Sequence, residues 1–391
     1  MTELLILAGI AQLVLLHLLT RTARRLEREM AEPVQAPGTW PKVGLVVPVS
    51  GRHPDMEEAL ESLLAQDYPD LAAVFVAASN ADPAYSLAIR LQGRHPGLRV
   101  VAAGAARDCG QKNHNSLAGV ACLGGEVDIY AFSDSTHLAQ PDFVRNLVAP
   151  IARGECSVAT GYHAVEPADV SFTTLGYALC VLLMRLLQGL APFTQPWGGA
   201  MAMSRRFFEG QDIRGLWSTT VVDDCSLAAI LLQRGYPARL CPGALLRTVA
   251  RNHDPSVWRA WMDRQVGFLK FCIPDQWRLL GCLAVLLALP MALAVALLVC
   301  GLFNVGSAVG SLAACAYVVA LTCILSGWRP LLDGGRGRTT PRPLWRLVVA
   351  FGMAVAVFAC AYARSVRARA ILWNGIEYVV GRGGKVLERR P

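Results

Sequence analysis

The chain has 391 residues, of which 54% are hydrophobic and 17% are charged, and its formal net charge is +8. With a mean hydropathy of +0.38 it is too apolar for an ordinary soluble enzyme of this length, so membrane segments are expected. The arginines cluster beside apolar runs, where they would meet anionic lipid headgroups, and this favours a membrane surface over nucleic acid as the partner of the positive charge.

The N-terminal residues 1–28 are predicted to form a membrane anchor. Residues 4–20 are uncharged, and four arginines follow at once: Arg21, Arg24, Arg25 and Arg28. A signal peptide carries its positive charge before the apolar core and a cleavage site after it, and this segment has neither. Because positive charge favours the cytosolic side, the residues after Arg28 are expected in the cytosol.

Residues 40–275 are predicted to form one globular α/β domain. Three apolar runs at 42–49, 71–78 and 98–103 alternate with segments of helical spacing. Strands alternating with helices favour a mostly parallel sheet that is buried on both faces. Ligands of such sheets bind beyond the carboxyl ends of the strands, which directs attention to Ser50, to residues 79–82 and to Asp134.

Residues 172–193 form a further apolar stretch, broken only by Arg185. If this stretch crossed a membrane, Asp134 and Asp223 would lie on opposite sides of the bilayer and could not share the site that is argued for them below. An interfacial helix is therefore the better prediction.

The C-terminal residues 279–363 are predicted to be membrane helices. Residues 279–328 contain 50 positions without a charge, which as one helix would extend roughly 75 Å across a hydrocarbon core of about 30 Å. Two spans with a hinge near Asn304 and Gly306 are expected. Residues 347–363 lie between Arg346 and Arg364 and either cross the membrane or re-enter it, and residues 364–391 are predicted to be a basic cytosolic tail.

Three acidic residues are candidates for chemistry. Asp134 follows a predicted strand, where a carboxylate can meet a divalent ion and a diphosphate, although a turn or helix-cap acid is the alternative. Asp223 and Asp224 precede a helical run. They either satisfy free helix amides or, if one is buried and its pKa raised, accept a proton from an attacking hydroxyl. His253 is a possible further metal ligand, with a local turn as the alternative.

Polar and aromatic residues in other segments are candidates for binding. Lys112 stands among amide side chains at a loop-to-helix junction that suits a phosphate or a uracil, or is an ordinary solvated helix start. Trp197, Gly198 and Gly199 offer an indole for stacking and a close backbone approach, although a glycine turn explains them as well. Gln265 stands in an aromatic and basic belt before the first C-terminal span, from which it could reach a donor.

Several short motifs follow one another in a specific order: residues 46–49, 58–69, 82–84, 111–115, 133–135, 198–201 and 223–224. As a set they resemble the inverting family 2 type glycosyltransferases, and the branch they are most similar to is the ceramide glucosyltransferase family. The resemblance covers residues 40–275, and the terminal membrane segments and residues 373–378 are similar too.

The resemblance implies a GT-A domain, a nucleotide-sugar donor (a UDP-sugar), a divalent metal (Mn or Mg) and a membrane lipid acceptor. By position, Asp134 would bind the metal and the diphosphate, and Asp224 would be the general base with Asp223 beside it. Trp197, Gly198 and Gly199 would line the acceptor pocket. The donor-binding residues on this interpretation are Pro48, Ser50, Asn80, Asp82, Lys112, Asp134 and Gln265.

The chain departs from the family pattern at three points. Asn80 or Asp82 must replace the family's first acidic residue. Thr136 stands where the Asp-x-Asp motif has its second Asp, which removes one carboxylate from the metal site. The family's Gln-x-x-Arg-Trp motif becomes residues 265–269, in which Phe268 and Leu269 replace the Arg and the Trp.

The sequence thus predicts a multi-pass membrane enzyme of glycolipid biosynthesis, in a bacterial inner membrane or an equivalent, with its catalytic domain in the cytosol. It would move a hexose from the donor to a lipid such as ceramide. The alternatives are a hopanoid, sterol or polyprenyl acceptor, or a catalytically degenerate membrane scaffold. Thr136 and Phe268 motivate the scaffold interpretation. The presence of Asp134, Asp223 and Asp224 opposes it. The oligomeric state stays open.

Overall fold

The structure is a computed structural model that describes residues 1–332 and 342–390. Its N-terminal half comprises α1 (Thr2–Ala31), β1 (Val43–Pro48), α2 (Met56–Leu64), β2 (Leu71–Ala77), α3 (Pro83–Arg94), β3 (Arg99–Ala102), α4 (Gln111–Leu123), β4 (Ile129–Ser133), α5 (Phe143–Ala152), β5 (Val158–Pro167) and α6 (Phe172–Gln188). The remaining elements are β6 (Ala200–Ser204), α7 (Arg205–Gly210), α8 (Ile213–Trp217), α9 (Asp223–Arg234), β7 (Ala238–Ala250), α10 (Pro255–Cys272), α11 (Pro274–Leu302), α12 (Ala308–Leu332), α13 (Leu344–Arg367), β8 (Ala370–Trp373), β9 (Ile376–Val380) and β10 (Val386–Arg390).

The globular domain is built on a seven-stranded sheet with the order β3-β2-β1-β4-β6-β5-β7. Only β6 runs antiparallel to its neighbours β4 and β5, so the predicted mostly parallel sheet is confirmed. Because β6 is reversed, its first residue, Ala200, pairs with Ser133 at the carboxyl end of β4. This pairing brings the loop before β6 next to Asp134.

The sheet is apolar on both faces. On β1, Leu45 and Val47 pack in one core cluster and Val46 packs in another, as expected for side chains that alternate along a strand. Helices cover both clusters, which explains why the strands read as continuous apolar runs.

Within the described residues, α1, α11, α12 and α13 are the four helices long and apolar enough to span a membrane, by length and composition. The chain turns between α11 and α12 at residues 303–307, where Asn304 has a φ of 55°. Polar side chains join α1 to its neighbours. The Nε2 atom of Gln12 donates to the carbonyl of Leu287 at 2.8 Å, and Nε1 of Trp328 donates to the hydroxyl of Thr20 at 2.8 Å.

Helix α13 differs from the other three because both of its ends are hydrogen-bonded to the globular domain. Near its start, Arg346 donates to the carbonyl of Val170 at 2.9 Å. Near its end, Lys270 of α10 donates to the carbonyl of Ser365 at 2.7 Å. Between these points α13 packs along α6 and α10. Residues 333–341, which fall in the predicted membrane region 279–363, lie outside the described residues.

The stretch 172–193 contains α6, a helix of 17 residues, followed by a short turn at 191–193. The hydroxyl of Ser171 accepts a hydrogen bond from the backbone nitrogen of Thr174 and so caps the helix start. Helix α6 packs against β5, α1 and α13 and therefore joins the sheet to the long apolar helices.

Residues 364–390 are not a free tail. They complete α13 and form a three-stranded antiparallel sheet of β8, β9 and β10. Asn374 and Gly375 both have positive φ values in the turn between β8 and β9, the conformation that favours an Asn-Gly pair in a hairpin. Ile371 and Tyr378 are buried against the globular domain, and this apolar contact explains why the basic segment folds onto it.

Candidate active site

Four chain segments meet at the carboxyl end of β4. They are the residue after β4 (Asp134), the start of α4 (Lys112), the loop before β6 (Gly198) and the start of α9 (Asp223 and Asp224). The sheet order brings these segments together, although Lys112 and Asp224 are 112 residues apart in the chain. Gly198 connects the two residues, because its carbonyl accepts from Lys112 and its nitrogen donates to Asp224.

Lys112 is the cation of this group. Its Nζ atom lies 2.8 Å from Oδ1 of Asp134 and 3.2 Å from Oδ2 of Asp223, and it donates to the carbonyl of Gly198 at 3.0 Å. Burial disfavours the charged amine, but the surrounding carboxylates, Asp134 first, outweigh it and raise the pKa of Lys112. Lys112 therefore stays charged across the physiological pH range.

Asp223 is completely buried, and neither of its carboxylate oxygens accepts a hydrogen bond from the described residues. Its compensating contact is the ion pair with Lys112. The carboxylate also makes no cap at the start of α9, where the capping position is Val222. Capping of the helix therefore does not account for Asp223.

Asp224 is held by two backbone amides. Gly198 donates to its Oδ2 at 2.9 Å, and Cys225 donates to its Oδ1 at 2.6 Å. Burial raises the pKa of Asp224 to about 6, and the neighbouring charge of Asp223 adds to this effect. A carboxylate with such a pKa is ionised at neutral pH and can take up a proton.

The pKa of Asp134 is shifted in the opposite direction to that of Asp224. Burial would raise its pKa, but Lys112 and then His137 lower it below the ordinary value. A site with two carboxylates whose pKa values are moved apart can use one as a permanent charge and the other as a proton acceptor. Asp134 suits the first role and Asp224 the second.

A glycine is required at position 198 because its surroundings leave no space for a side chain. A Cβ atom at this position would lie 2.7 Å from both oxygens of Asp223 and 2.7 Å from Nζ of Lys112. At Gly199 a Cβ would overlap the ring of Trp197, which folds back over the loop. That ring stacks on His163 with 4.7 Å between the centroids and 10° between the planes.

The starts of α4 and α9 are joined through the backbone before Asp223. Gly110 donates to the carbonyl of Thr220 at 3.0 Å, and Nδ2 of the buried Asn113 donates to the same carbonyl at 2.9 Å. Nε1 of Trp217 donates to the carbonyl of Asp223 at 3.1 Å. These bonds fix Lys112 relative to the two acids.

Four predicted donor contacts lie at the ends of β1 and β2. Pro48 is the last residue of β1, and Ser50 and Asn80 are exposed in the loops that follow the two strands. The carboxylate of Asp82 accepts from the nitrogens of Gly51 at 2.8 Å and Ala84 at 2.9 Å. Asp82 thus caps α3 and joins the two loops.

Two further predicted residues lie elsewhere. Gln265 borders an apolar cavity. His253 stacks on Tyr177 with 4.0 Å between the ring centroids, and its backbone nitrogen donates to Thr174. The structure therefore does not bring His253 to Asp134, because the start of α10 packs against α6.

The imidazole beside Asp134 belongs instead to His137, whose Nε2 atom lies 3.8 Å from Oδ2 of Asp134. His163 follows at 4.8 Å between ring centroids. Sequence analysis missed both residues. The available signal for His137 was its position three residues after Asp134, directly after the Thr136 that replaces a carboxylate.

The donor set near Asp134 suits a divalent cation. Within the described residues no group of three or more His, Cys, Asp or Glu side chains has a metal-binding arrangement. However, Mg²⁺ and similar ions commonly use one or two carboxylates together with substrate phosphates. Asp134 can contribute Oδ2, since its other oxygen is engaged by Lys112.

The loss of the Arg-Trp pair after Gln265 has a structural explanation. Phe268 is buried and packs edge-on against Trp373 at the end of β8, with 5.5 Å between the ring centroids. It belongs to the apolar cluster that joins α10 to the C-terminal sheet. At this position the chain uses an apolar side chain for packing.

The apolar cavity lies among α1, α6, α10, α11 and α13. It is partly open and has a cavity volume of about 90 Å³. Among the described residues that line it, Gln265 and Cys180 alone have side chains that are not hydrocarbon or thioether groups. The helix α6 contributes Cys180, Leu183, Met184 and Leu187, which share one face at helical spacing.

Comparison with curated protein sequences finds no match. Among solved structures, the chain is similar to a mannosyltransferase from Pyrobaculum calidifontis in complex with GDP-Man and Mn²⁺, with 19% identity, a TM-score of 0.47, and coverage of 91% of this chain and 99% of that one. A mycobacterial protein matches with 18% identity, a TM-score of 0.38, and coverage of 63% of this chain and 76% of that one.

The model of glycosyl transferase family 21 matches residues 1–386, nearly the whole chain. The chain therefore belongs to glycosyl transferase family 21 and is a glycosyltransferase.

Proposed function

We propose that the protein transfers a hexose from a nucleotide-sugar, a UDP-sugar, to the hydroxyl of a membrane lipid such as ceramide, with inversion at the anomeric carbon. The observation that carries this proposal is the partly buried carboxylate of Asp224, whose pKa is raised to about 6, next to the charge pair of Lys112 and Asp134. Together they supply a proton acceptor and a binding place for a diphosphate.

The reaction follows from these groups. Asp224 accepts the proton of the acceptor hydroxyl while the oxygen of that hydroxyl forms a bond to the anomeric carbon. The bond from that carbon to the nucleoside diphosphate breaks on the opposite face, so the configuration inverts. The amide of Gly198 holds Asp224 in position, and Lys112 stabilises the negative charge of the departing diphosphate. A divalent cation held by Asp134 would supply further charge stabilisation.

The apolar cavity supports a lipid as the acceptor. The cavity face of α6 extends from Cys180 to Leu187, and α6 ends at Gln188. The loop that follows α6 leads to Gly198, which contacts Asp224. A lipid chain in the cavity would stay in apolar surroundings while its hydroxyl approaches the acid, which avoids the cost of exposing the chain to water.

The two bonded ends of α13 support a three-span topology. If α13 crossed the membrane, its contacts to Val170 and Lys270 would require one domain to reach both sides. We infer that α1, α11 and α12 cross and that α13 lies at the interface. Three arginines then share the cytosolic side with the catalytic domain, in agreement with the positive-inside rule. They are Arg21 after the apolar part of α1, Arg278 before the apolar part of α11 and Arg329 after the apolar part of α12.

The test is a transfer assay with the purified protein in lipid. A panel of radiolabelled UDP- and GDP-sugars is offered with ceramide, hopanoid, sterol and polyprenyl acceptors. Asp224→Asn is expected to lower the turnover by about 10²- to 10⁴-fold, the usual contribution of a general base. The exposed Asp67→Asn is the matched control and should retain the wild-type rate.

Two outcomes would count against the proposal. Full activity of Asp224→Asn would remove its role as the base. If the wild-type protein neither transfers nor hydrolyses any of these sugars, the scaffold interpretation replaces the enzyme mechanism given above.

A further inference from the structure

His137 lies on the side of Asp134 that Lys112 does not occupy. Lys112 binds Oδ1 of Asp134, whereas Nε2 of His137 lies 3.8 Å from Oδ2. The imidazole is mostly buried, with 12% of its side chain exposed. The space between this nitrogen and this oxygen is bordered by a carboxylate and an imidazole, two groups that commonly bind transition metals.

The orientation of the His137 ring is fixed from behind. Its Nδ1 atom is hydrogen-bonded to the hydroxyl of Thr248 on β7. The rings of His163 and Trp197 pack against it, with centroid distances of 4.8 and 5.5 Å. When Nδ1 carries the proton and donates to Thr248, the lone pair of Nε2 faces Asp134. This arrangement, with one ring nitrogen donating to a protein group, is usual for histidines that bind metals.

The separation of the two atoms agrees with a shared ion. Bonds from a divalent transition metal to imidazole nitrogen and carboxylate oxygen are each about 2.1 Å long, so one ion can join two atoms up to about 4.2 Å apart. The observed 3.8 Å falls within this limit.

We propose that Nε2 of His137 and Oδ2 of Asp134 together bind the divalent cation of the donor site, with His137 taking the place of the carboxylate that Thr136 lacks. The inference rests on the proposed function, because the diphosphate of the donor supplies further oxygen ligands. An imidazole in place of a carboxylate favours Mn²⁺ and similar ions over Mg²⁺, which prefers oxygen.

The direct test is pulsed electron paramagnetic resonance of Mn²⁺ bound to the full-length protein in detergent, recorded alone and with UDP or GDP. A metal-bound imidazole couples its ¹⁴N nucleus to the electron spin of Mn²⁺. We expect this coupling in the wild type and in His253→Ala, the matched histidine control, and its loss in His137→Ala. The affinity for Mn²⁺ in the presence of UDP should fall at least about tenfold in His137→Ala.

A rescue variant separates loss of a ligand from loss of structure. The double variant Thr136→Asp/His137→Ala restores a second carboxylate and should recover Mn²⁺ affinity without any ¹⁴N coupling. Absence of the coupling in the wild type with either nucleotide would overturn the proposal, and so would its persistence in His137→Ala. Should His137→Ala not fold, the wild-type spectra recorded with UDP and with GDP still overturn the proposal if they lack the ¹⁴N coupling.

Neither measurement needs sugar transfer. If the nitrogen coupling is present but no sugar is transferred, the proposed function fails and the cation site stands. If sugar is transferred but the coupling is absent, the cation site fails and the proposed function stands.

Discussion

The ammonium nitrogen of Lys112 lies 2.8 Å from a carboxylate oxygen of Asp134, in a place where only 16% of the Lys112 side chain is exposed. The same nitrogen is the compensating charge for Asp223. One lysine therefore neutralises acids from two loops that are distant in sequence. Its removal has consequences for stability as well as for catalysis.

Lys112→Met is expected to destabilise the fold because it leaves the buried carboxylate of Asp223 and the half-buried one of Asp134 without their cation. Breaking a buried ion pair in this way typically costs about 3–5 kcal/mol. The double variant Lys112→Met/Asp223→Asn should recover part of the loss, and Lys42→Met is the control. Denaturant unfolding measures all of these variants. Equal stability of Lys112→Met and the wild type would contradict the assigned charge balance.

The rate should depend on pH through Asp224. Because burial and the charge of Asp223 raise the pKa of Asp224 to about 6, the base becomes protonated as the pH falls through this value. We expect kcat/KM to be level above it and to decrease about tenfold per pH unit below it.

Asp223→Asn removes the like charge and should move this acid limb to lower pH, whatever its effect on the maximum rate. The pH profile of each variant is the measurement, with Asp67→Asn as the control. An acid limb that stays in place in Asp223→Asn would mean that a different group titrates.

Gly198→Ala is expected to lower activity because the added Cβ would displace Asp223 or Lys112. Misplacement of reacting groups by about 1 Å can cost on the order of 10²-fold in rate. Gly93→Ala is the matched control, since it lies in α3 with open space around it and should leave activity unchanged while stabilising the helix by up to about 1 kcal/mol. Equal initial rates for the two variants would refute the packing argument.

Leu183→Trp should reduce the binding of the lipid acceptor by filling part of the apolar cavity. Each methylene that is displaced costs about 0.8 kcal/mol, so losing two or three raises the KM for the lipid roughly 15- to 60-fold. Hydrolysis of the donor without acceptor should not change. The control is Leu302→Trp at an exposed end of α11. An unchanged KM in Leu183→Trp would exclude the cavity as the acceptor site.

Fusion proteins test the three-span topology. Alkaline phosphatase, which is active only outside the cytosol, should be active when inserted after Gly306. Green fluorescent protein joined after Arg390 should be fluorescent, because that end lies with the catalytic domain. A fluorescent fusion after Gly306 would reverse the proposed orientation, whereas a dark fusion after Arg390 would indicate that α13 crosses.

The sheet was predictable because its strands carry apolar residues at nearly every position and end in turn residues. It was also predictable that Asp134, Lys112 and the Asp223–Asp224 pair lie close together, because each stands at the end of a strand or the start of a helix. By contrast, the position of His137 depends on β7, where Thr248 lies 111 residues away. No local pattern contains that pairing.

Two other positions show where local patterns do not suffice. Gln265 stands in a belt of aromatic and basic residues, but the rotation of α10 directs it to the cavity rather than to the acids. The C-terminal sheet is rich in arginine, which suggested a solvated tail. Its Asn374-Gly375 turn between apolar residues was the overlooked signal of a hairpin.

The C-terminal sheet also bears on how the enzyme is made. Gly384 and Val386 are hydrogen-bonded to Val221 and Thr219, the backbone that leads directly into Asp223. These two residues follow every membrane helix of the described chain. During synthesis, the backbone that leads into the acid pair therefore gains these two hydrogen bonds only after the last long apolar helix has been translated. A chain that ends before Gly384 lacks both of them.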